Sequence, residues 1–97
     1  MFTSKQRSNL KALANGIEPV GQIGKLGLTD NLAESFSQAL EARELIKISV
    51  LKSADDYPES YAEDLADRLS AEVVCVIGRK IILYRKSGKE HIKHIEF

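Results

Sequence analysis

Two kinds of apolar spacing alternate along this chain, and their alternation restricts the folds that it can adopt. In ELIKISVLK (44–52), Ile46, Ile48 and Val50 alternate with polar residues, which predicts a β-strand. The segments on either side repeat apolar residues three or four apart, as one face of a helix does. Strands that alternate with amphipathic helices are typical of an α/β domain, because the helices cover the sheet.

Three helices are predicted from their caps and apolar stripes. The first begins at the capping box of residues 3–6 and ends at Asn15-Gly16. The second has Thr29 or Asn31 as its N-cap, and the third runs from Pro58 to Ser70. The predicted buried positions are Leu10, Leu13 and Ala14 in the first helix, Leu32, Phe36, Ala39 and Leu40 in the second, and Tyr61, Ala62, Leu65, Ala66 and Leu69 in the third.

Three further strands are predicted. Residues 17–23 form a short, weak strand, in which Pro19 and Gly21 favour an edge position or a bulge. EVVCVIG (72–78) and KIILYRK (80–86) form a hairpin that turns at Gly78-Arg79. The order αβαβαββ contains two βαβ units, which predict parallel pairing through right-handed crossovers, with an antiparallel last strand. We therefore expect a single compact α/β domain with three helices and a four-stranded mixed sheet.

Length and composition fit one domain. A chain of 97 residues buries about 60–70% of its unfolded surface, enough for one core. Residues 1–86 are predicted to form the domain, and 87–97 a basic C-terminal tail or a short extra element. Cys75 is the only cysteine, which excludes an internal disulfide. No apolar run approaches the roughly 20 residues of a membrane span, and the first residues lack a signal peptide's apolar stretch, so a cytoplasmic location is expected.

The net charge is zero, but the charges are segregated along the chain. Residues 1–54 carry seven Lys and Arg against five acids, and residues 73–97 carry six against two. Residues 55–72 hold seven acids and one base. A polyanion responds to the local field of a surface rather than to the average charge, so the basic segments are compatible with nucleic-acid binding.

The stretch IGKLGLTDN (23–31) places Gly24 and Gly27 around Lys25 and Leu26, just before the second helix. A helix N-terminus attracts anions through unpaired N–H groups, and glycines let a phosphate approach the main chain. Lys25 adds a full positive charge, so the turn could clamp a nucleic-acid backbone as GXXG loops do. The same residues are compatible with a plain turn that requires a positive φ. The spacing matches neither a Walker A loop nor GxGxxG.

Basic residues elsewhere in the chain could share a surface with this turn, because half of the acids are concentrated in residues 55–72. Tyr84, beside one of these bases, is interpreted either as a stacking ring or as a half-buried strand residue. The predicted RNA-contacting residues outside the turn are Lys5, Arg7, Lys11, Lys47, Arg79, Lys80 and Arg85.

No group of residues indicates catalysis or metal binding. His91 and His94 are three apart, but nothing in the sequence completes a metal site around them. Cys75 lies in an apolar strand, where a buried, inert thiol is expected, and no histidine precedes residue 91 to act as its base. We therefore expect no enzymatic activity, no metal and no cofactor.

Four blocks of sequence are informative together: SKQRSNLKALA (4–14), PVGQIGKLGLT (19–29), ELIKISVL (44–51) and VIGRKIILYRK (76–86). In this order they resemble the CRM domain family (chloroplast RNA splicing and ribosome maturation) in its stand-alone bacterial YhbY-like form. The resemblance implies an RNA-binding domain whose fold is similar to the C-terminal domain of translation initiation factor three. It also implies that residues 24–27 are the family's GxxG loop. Bacterial stand-alone members are associated with the precursor of the large ribosomal subunit, and plant multi-domain members with intron splicing.

The leading hypothesis is a monomeric, non-enzymatic RNA-binding protein that contacts structured ribosomal RNA during large-subunit assembly, mainly through phosphates and shape. The alternative is a protein-interaction module whose acidic third helix docks a basic ribosomal or assembly protein. A small nucleotide-binding enzyme is a third hypothesis, which the absent Walker A frame disfavours.

Overall fold

The computed structural model describes residues 2–97, which form three helices and one four-stranded sheet. The predicted capping box is present: the Thr3 hydroxyl accepts from the Gln6 N–H, and the Gln6 side chain accepts from the Thr3 N–H, both at 3.0 Å. Thr29, rather than Asn31, caps the second helix. The elements are α1 (Ser4–Ala14), β1 (Gly21–Ile23), α2 (Asp30–Arg43), β2 (Leu45–Val50), α3 (Pro58–Leu69), β3 (Glu72–Ile77) and β4 (Lys80–Tyr84).

The strands are arranged in the order β1-β2-β4-β3. β1 is parallel to β2, and β4 is antiparallel to both of its neighbours. The predicted fold class and element order are confirmed, but the parallel pairing predicted for the second βαβ unit is wrong, because β4 lies between β2 and β3. Ile81, Ile82 and Leu83 of β4 are all at most 1% exposed. Such a strand is apolar on both faces and is stable only in the centre of a sheet, so the hairpin folds inward.

Helices cover both faces of the sheet. On one face, which we call the helix-pair face, α2 and α3 pack on alternate residues of the strands, with Phe36 and Leu65 at the centre. On the other, the α1 face, Leu10 and Ala14 pack on Leu45, Val74 and Ile82. Each fully buried Leu, Ile or Phe contributes about 1.5–3 kcal/mol, so the two faces stabilise one domain from opposite sides. None of the described helices, of 11, 14 and 12 residues, is long and apolar enough to cross a membrane.

Two details differ from the sequence prediction. Leu13, predicted to be buried, is 47% exposed, because the face of α1 that packs on the core is centred on Leu10 and Ala14, one helical turn apart. The first strand is shorter than predicted and covers only Gly21–Ile23. Pairing begins with the Val20 N–H, which donates to a β2 carbonyl at 2.8 Å, and Pro19 has no N–H with which to extend it.

Glu44 connects α2 directly to β2 and has an unusual backbone. Its φ of 67° ends the helix, and its N–H donates to the Leu40 carbonyl at 2.8 Å. The side chain is completely buried. Oε2 accepts from the Ser87 N–H at 2.7 Å and contacts His94 Nδ1 at 2.6 Å, and Oε1 accepts from the Ile95 N–H at 2.7 Å. Burial by itself would raise the pKa of Glu44, but these hydrogen bonds outweigh it and lower the pKa below its ordinary value.

Residues 87–97, which we call the C-terminal strap, are held against the domain through Glu44. The strap contains no helix or strand, yet the Ser87 hydroxyl donates to the Glu41 carbonyl at 2.6 Å. At its end, the Phe97 ring packs edge-on against Phe2 and Tyr84, with centroid distances of 5.5 and 4.9 Å. Tyr84 is therefore half-buried among aromatic rings. We call the end of the sheet where Glu44 meets the strap the strap end.

Candidate nucleic-acid interface

The GKLG loop (24–27) is a tight turn directly after β1. A hydrogen bond of 2.9 Å from the Gly27 N–H to the Gly24 carbonyl closes it. Gly27 has a φ of 69°, a conformation that costs other residues about 1–2 kcal/mol, so the prediction of a turn that needs a positive φ is confirmed. Lys25 and Leu26 occupy the central positions and are exposed, Leu26 to 87%. The turn thus presents one cation and one apolar side chain to solvent.

The GKLG loop is supported from two sides. The Leu51 N–H donates to the last carbonyl of β1 at 2.8 Å, and a Cβ on Gly24 would lie 3.4 Å from Leu51 Cδ1. On the other side, the Tyr61 hydroxyl lies 3.6 Å from the position of a Cβ on Gly27. That hydroxyl donates to the Asp55 carboxylate at 2.8 Å, and this hydrogen bond, together with burial, raises the pKa of Tyr61. The loop is therefore packed against the residue that follows β2 and against the start of α3.

Arg79 fixes the β3–β4 turn beside the GKLG loop. Its Nε donates to the Val50 carbonyl at 2.8 Å, and its Nη2 donates to the Leu51 carbonyl at 2.6 Å. These carbonyls lie where β2 ends, and the guanidinium supplies them with donors beyond the regular strand pairing. Because Leu51 also contacts the GKLG loop, Arg79 and Lys25 approach the same edge of the protein. We call this edge, formed by residues 24–27, 50–52 and 78–79, the loop end.

Three predicted lysines lie on the α1 face. Lys47 alternates with the β2 residues buried on the helix-pair face and therefore belongs to the opposite side. Lys80 lies opposite Ser49, nearer the loop end, and its Nζ donates to the Ser49 hydroxyl at 2.9 Å. Lys11 on α1 lies near Cys75 of β3. Burial raises the pKa of the Cys75 thiol, and the positive charge of Lys11 opposes this shift. Through Lys80, the α1 face continues into the loop end.

Two of the predicted arginines donate into the fold instead. Arg7 donates to the Val73 carbonyl at 2.7 Å and to the Val74 carbonyl, where a bulge shifts the register of β3. Arg85 donates to the carbonyl of Leu69 at 2.7 Å and to that of Ser37 at 2.9 Å. Their guanidinium groups are occupied by backbone carbonyls and both residues are partly buried, whereas Arg79 is exposed, so we remove Arg7 and Arg85 from the proposed surface and keep Arg79. Lys5 remains exposed on the first turn of α1.

The start of α2 contributes less to anion binding than the sequence suggested. The Thr29 hydroxyl already accepts from the Leu32 N–H at 3.2 Å, which satisfies one unpaired donor of the first turn. The exposed carboxylate of Asp30 lies in the same turn and compensates the positive end of the helix dipole. Attraction of a phosphate at this place therefore depends mainly on Lys25 and on the turn backbone.

A shallow cleft of about 480 Å³ lies between the GKLG loop and α2. It combines the exposed side chain of Leu26 with polar groups from β1 and α2. Sequence reasoning missed this cleft, and it also missed the supporting roles of Leu51, Tyr61 and Arg79. No periodicity signals these roles, because each depends on which segments the fold brings together. Its lining includes Gln22, Lys25, Leu26, Asn31, Leu32 and Ser35.

The acidic segment lies away from the lysines of the α1 face. α3 packs on the helix-pair face, and its outer surface carries the exposed residues Glu59, Glu63, Asp64 and Asp67. Asp64 pairs with Arg68 at 3.4 Å, one turn further along the helix. The exposed acids of α3 thus lie on the opposite side of the sheet from Lys47.

Comparisons with known proteins place this chain in a family. It is 42% identical over 96 residues to the "Probable RNA-binding protein YqeI" of Bacillus subtilis (strain 168), covering 99% of this chain and 98% of that protein. It is 31% identical over 92 residues to a Haemophilus influenzae (strain Rd) protein named "RNA-binding protein", covering 95% and 93%.

The fold is also similar to a solved structure. The solution structure of the hypothetical protein SAV1595 from Staphylococcus aureus has a TM-score of 0.77 and 41% sequence identity, covering 93% of this chain and 94% of that one. The CRS1/YhbY (CRM) domain model matches residues 2–85, which include all seven elements of the fold. The chain therefore belongs to the CRS1/YhbY (CRM) domain family.

Proposed function

We propose that this protein binds structured RNA without catalysing a reaction, and that the loop end and the α1 face form its RNA-binding surface. The GKLG loop contacts the phosphate backbone: Lys25 neutralises a phosphate, and the turn of Gly24 and Gly27 brings the main chain close to it. Arg79 and Lys80 extend the positive charge from the loop, and Lys47, Lys11 and Lys5 continue it across the α1 face.

The observation that carries this proposal is the exposed, charged turn at an edge where further bases converge. Within residues 2–97, neither a hydrogen bond nor an ion pair engages the ammonium groups of Lys25 and Lys47. Lysines that make no internal contact keep their full charge available to a polyanion. The relatives named as RNA-binding proteins support the same class of ligand.

The RNA that we propose is ribosomal RNA of the large subunit or its precursor particle, met in the cytoplasm by a monomer. The choice of ribosomal RNA rests on the resemblance of the sequence blocks to stand-alone bacterial members of the family. No RNA-reading aromatic motif is present in the sequence, so recognition relies mainly on phosphates and on RNA shape.

The test is fluorescence-anisotropy binding to large-subunit ribosomal RNA fragments at several salt concentrations. We expect Lys25→Gln to weaken binding and to reduce the slope of log affinity against log salt by about 0.7–0.9, the value of one phosphate contact. Lys89→Gln is the matched control, because Lys89 is an exposed lysine beside Glu41 in the strap-end region. Equal salt slopes for the two variants would contradict a phosphate contact at Lys25.

A second candidate function is docking of a basic ribosomal or assembly protein on α3. It is favoured by the exposed carboxylates of Glu63 and Asp67, which make no ion pair among the described residues. Reversing both charges to Lys separates the two functions. Association with the ribosomal particle should collapse if α3 is the docking surface, and should persist if the protein is held by RNA alone.

A further inference from the structure

Leu26 is not explained by phosphate binding. It is the most exposed large hydrophobic residue of the described chain, at 87%, and it occupies the centre of a turn beside Lys25. A phosphate offers no apolar surface, so Leu26 gains nothing from the contact proposed for Lys25. A nucleobase or ribose face does offer such a surface.

The cleft beside the GKLG loop has the chemistry of a nucleotide site. Leu26 and Leu32 supply apolar surface, and Gln22, Asn31 and Ser35 supply amide and hydroxyl groups. Across residues 2–97, no intramolecular hydrogen bond uses these three polar side chains. Amides and hydroxyls both donate and accept, which suits the edge of a base. The volume of about 480 Å³ falls within the range of small-molecule sites.

We propose that this cleft receives one unpaired nucleotide of the bound RNA, with Leu26 against the face of its base. The inference rests on the proposed function and specifies its ligand: structured RNA that carries an unpaired nucleotide beside the phosphate held by Lys25. Bases within a regular duplex are stacked and present no face to a protein, whereas bases in loops and bulges can be splayed outward.

The experiment compares two RNA ligands: a fully paired duplex and the same duplex with one bulged nucleotide. Binding is measured by anisotropy at low salt, where electrostatic binding to either RNA is strong. We expect the wild type to prefer the bulged RNA by about fivefold, at the low end of the effect of stacking one base on an aromatic side chain, because Leu26 offers apolar contact but no ring. Leu26→Ser should remove this preference and leave the affinity for the paired duplex within about twofold.

Two variants and one control sharpen the result. Ser35→Leu, at an exposed position of α2, fills part of the cleft without adding an aromatic ring and should also reduce the preference, while Lys25 and Leu26 remain intact. Lys25→Gln should weaken binding to both RNAs by a similar factor. Tyr57→Ser, at an exposed residue outside the loop end and the α1 face, should change neither affinity.

The outcomes separate this inference from the proposed function. If the wild type binds both RNAs equally well, or if Leu26→Ser weakens both to the same extent, the nucleotide site is wrong and RNA binding stands. If the wild type binds neither these RNAs nor ribosomal RNA fragments, the proposed function fails and the nucleotide site fails with it.

Discussion

The two ends of the sheet differ in whether their characteristic side chains are buried or exposed. At the strap end, Glu44 and Arg85 point inward, are largely or completely buried and bond to main-chain groups. At the loop end, Lys25 and Leu26 point outward and are exposed. The first arrangement stabilises a connection between segments, and the second leaves side chains available to a ligand.

This difference shows what decides the role of a basic residue in this fold. Arg7, Arg79 and Arg85 all donate to backbone carbonyls, and for each arginine at least one of these carbonyls lies where regular strand or helix bonding ends or is interrupted. A guanidinium has five donors in a planar fork and can bond two such carbonyls at once, which a lysine ammonium does less well. Arginines therefore serve the fold here, and lysines make up most of the proposed binding surface.

The largest effect is expected at Glu44. Replacing it with Gln leaves one oxygen to serve the Ser87 and Ile95 N–H groups and removes the charge that faces His94. We expect a loss of about 3 kcal/mol in the free energy of unfolding, because buried donors lose their partner. Urea unfolding followed by circular dichroism measures it, with the exposed Glu63→Gln as control. A loss below about 1 kcal/mol would mean that the strap is held by other contacts.

The second-largest loss of stability is expected on substitution of Arg85. Arg85→Met keeps the length of the side chain but leaves the Leu69 and Ser37 carbonyls without its hydrogen bonds. We expect a loss of about 2 kcal/mol of stability, the value of hydrogen bonds to a charged group. RNA affinity of the folded protein should be unchanged. Lys86→Met, at the exposed neighbouring position, is the control for both measurements, and a fall in RNA affinity specific to Arg85→Met would return Arg85 to the binding surface.

Lowering the pH should remove part of the stabilisation that Glu44 contributes to the folded state. The pKa of Glu44 is lowered in the folded state, so its stabilisation is present above the ordinary value of 4.5 and is lost as the pH falls from there through the lowered pKa. The difference in unfolding free energy between wild type and Glu44→Gln should therefore be smaller at about pH 3.5 than at about pH 7. Asp56, whose pKa is lowered by hydrogen bonds from Tyr57 and Ser60, is common to both proteins and cancels. A constant difference would exclude the ionised carboxylate as the source of stability.

A smaller effect is expected within the GKLG loop. Gly27→Ala must keep a φ of 69° in a residue with a Cβ, which should cost about 1–2 kcal/mol of stability or shift the turn. Gly16→Ala is the matched control, because Gly16 has no positive φ and its added Cβ would lie 3.8 Å from the nearest atom. Equal unfolding midpoints for the two variants would mean that the turn accommodates the added Cβ of Gly27→Ala without loss of stability.

The smallest effects on stability are expected at the tip of the loop. Lys25→Gln and Leu26→Ser should each change the free energy of unfolding by less than about 0.5 kcal/mol, since both side chains are exposed. Thermal and urea unfolding of each variant beside the wild type provide the measurement. A marked destabilisation would erase the contrast between the two ends, because the loop end would then also serve the fold.

Much of the architecture was predictable because it depends on local patterns. The Thr3 capping box, the apolar stripe of α2 around Phe36 and Leu40, and the hairpin turn at Gly78 follow from neighbouring residues. The GKLG loop was located by its glycine spacing in the same way. The insertion of β4 between β2 and β3 was not predicted, because strand order depends on which strand is apolar on both faces of the assembled sheet.

The sequence by itself determined the fold class, the positions of the elements and the turn that presents Lys25 and Leu26, since caps, periodicity and glycine conformation act over a few residues. Only the tertiary structure decided that Arg7 and Arg85 are internal donors, that Glu44 holds the C-terminal strap, and that a cleft opens beside the GKLG loop. The physical reason is that a buried polar group takes whatever partner the fold brings to it. That partner is distant along the chain, 66 residues for Arg7 and Val73, and leaves no local signal in the sequence.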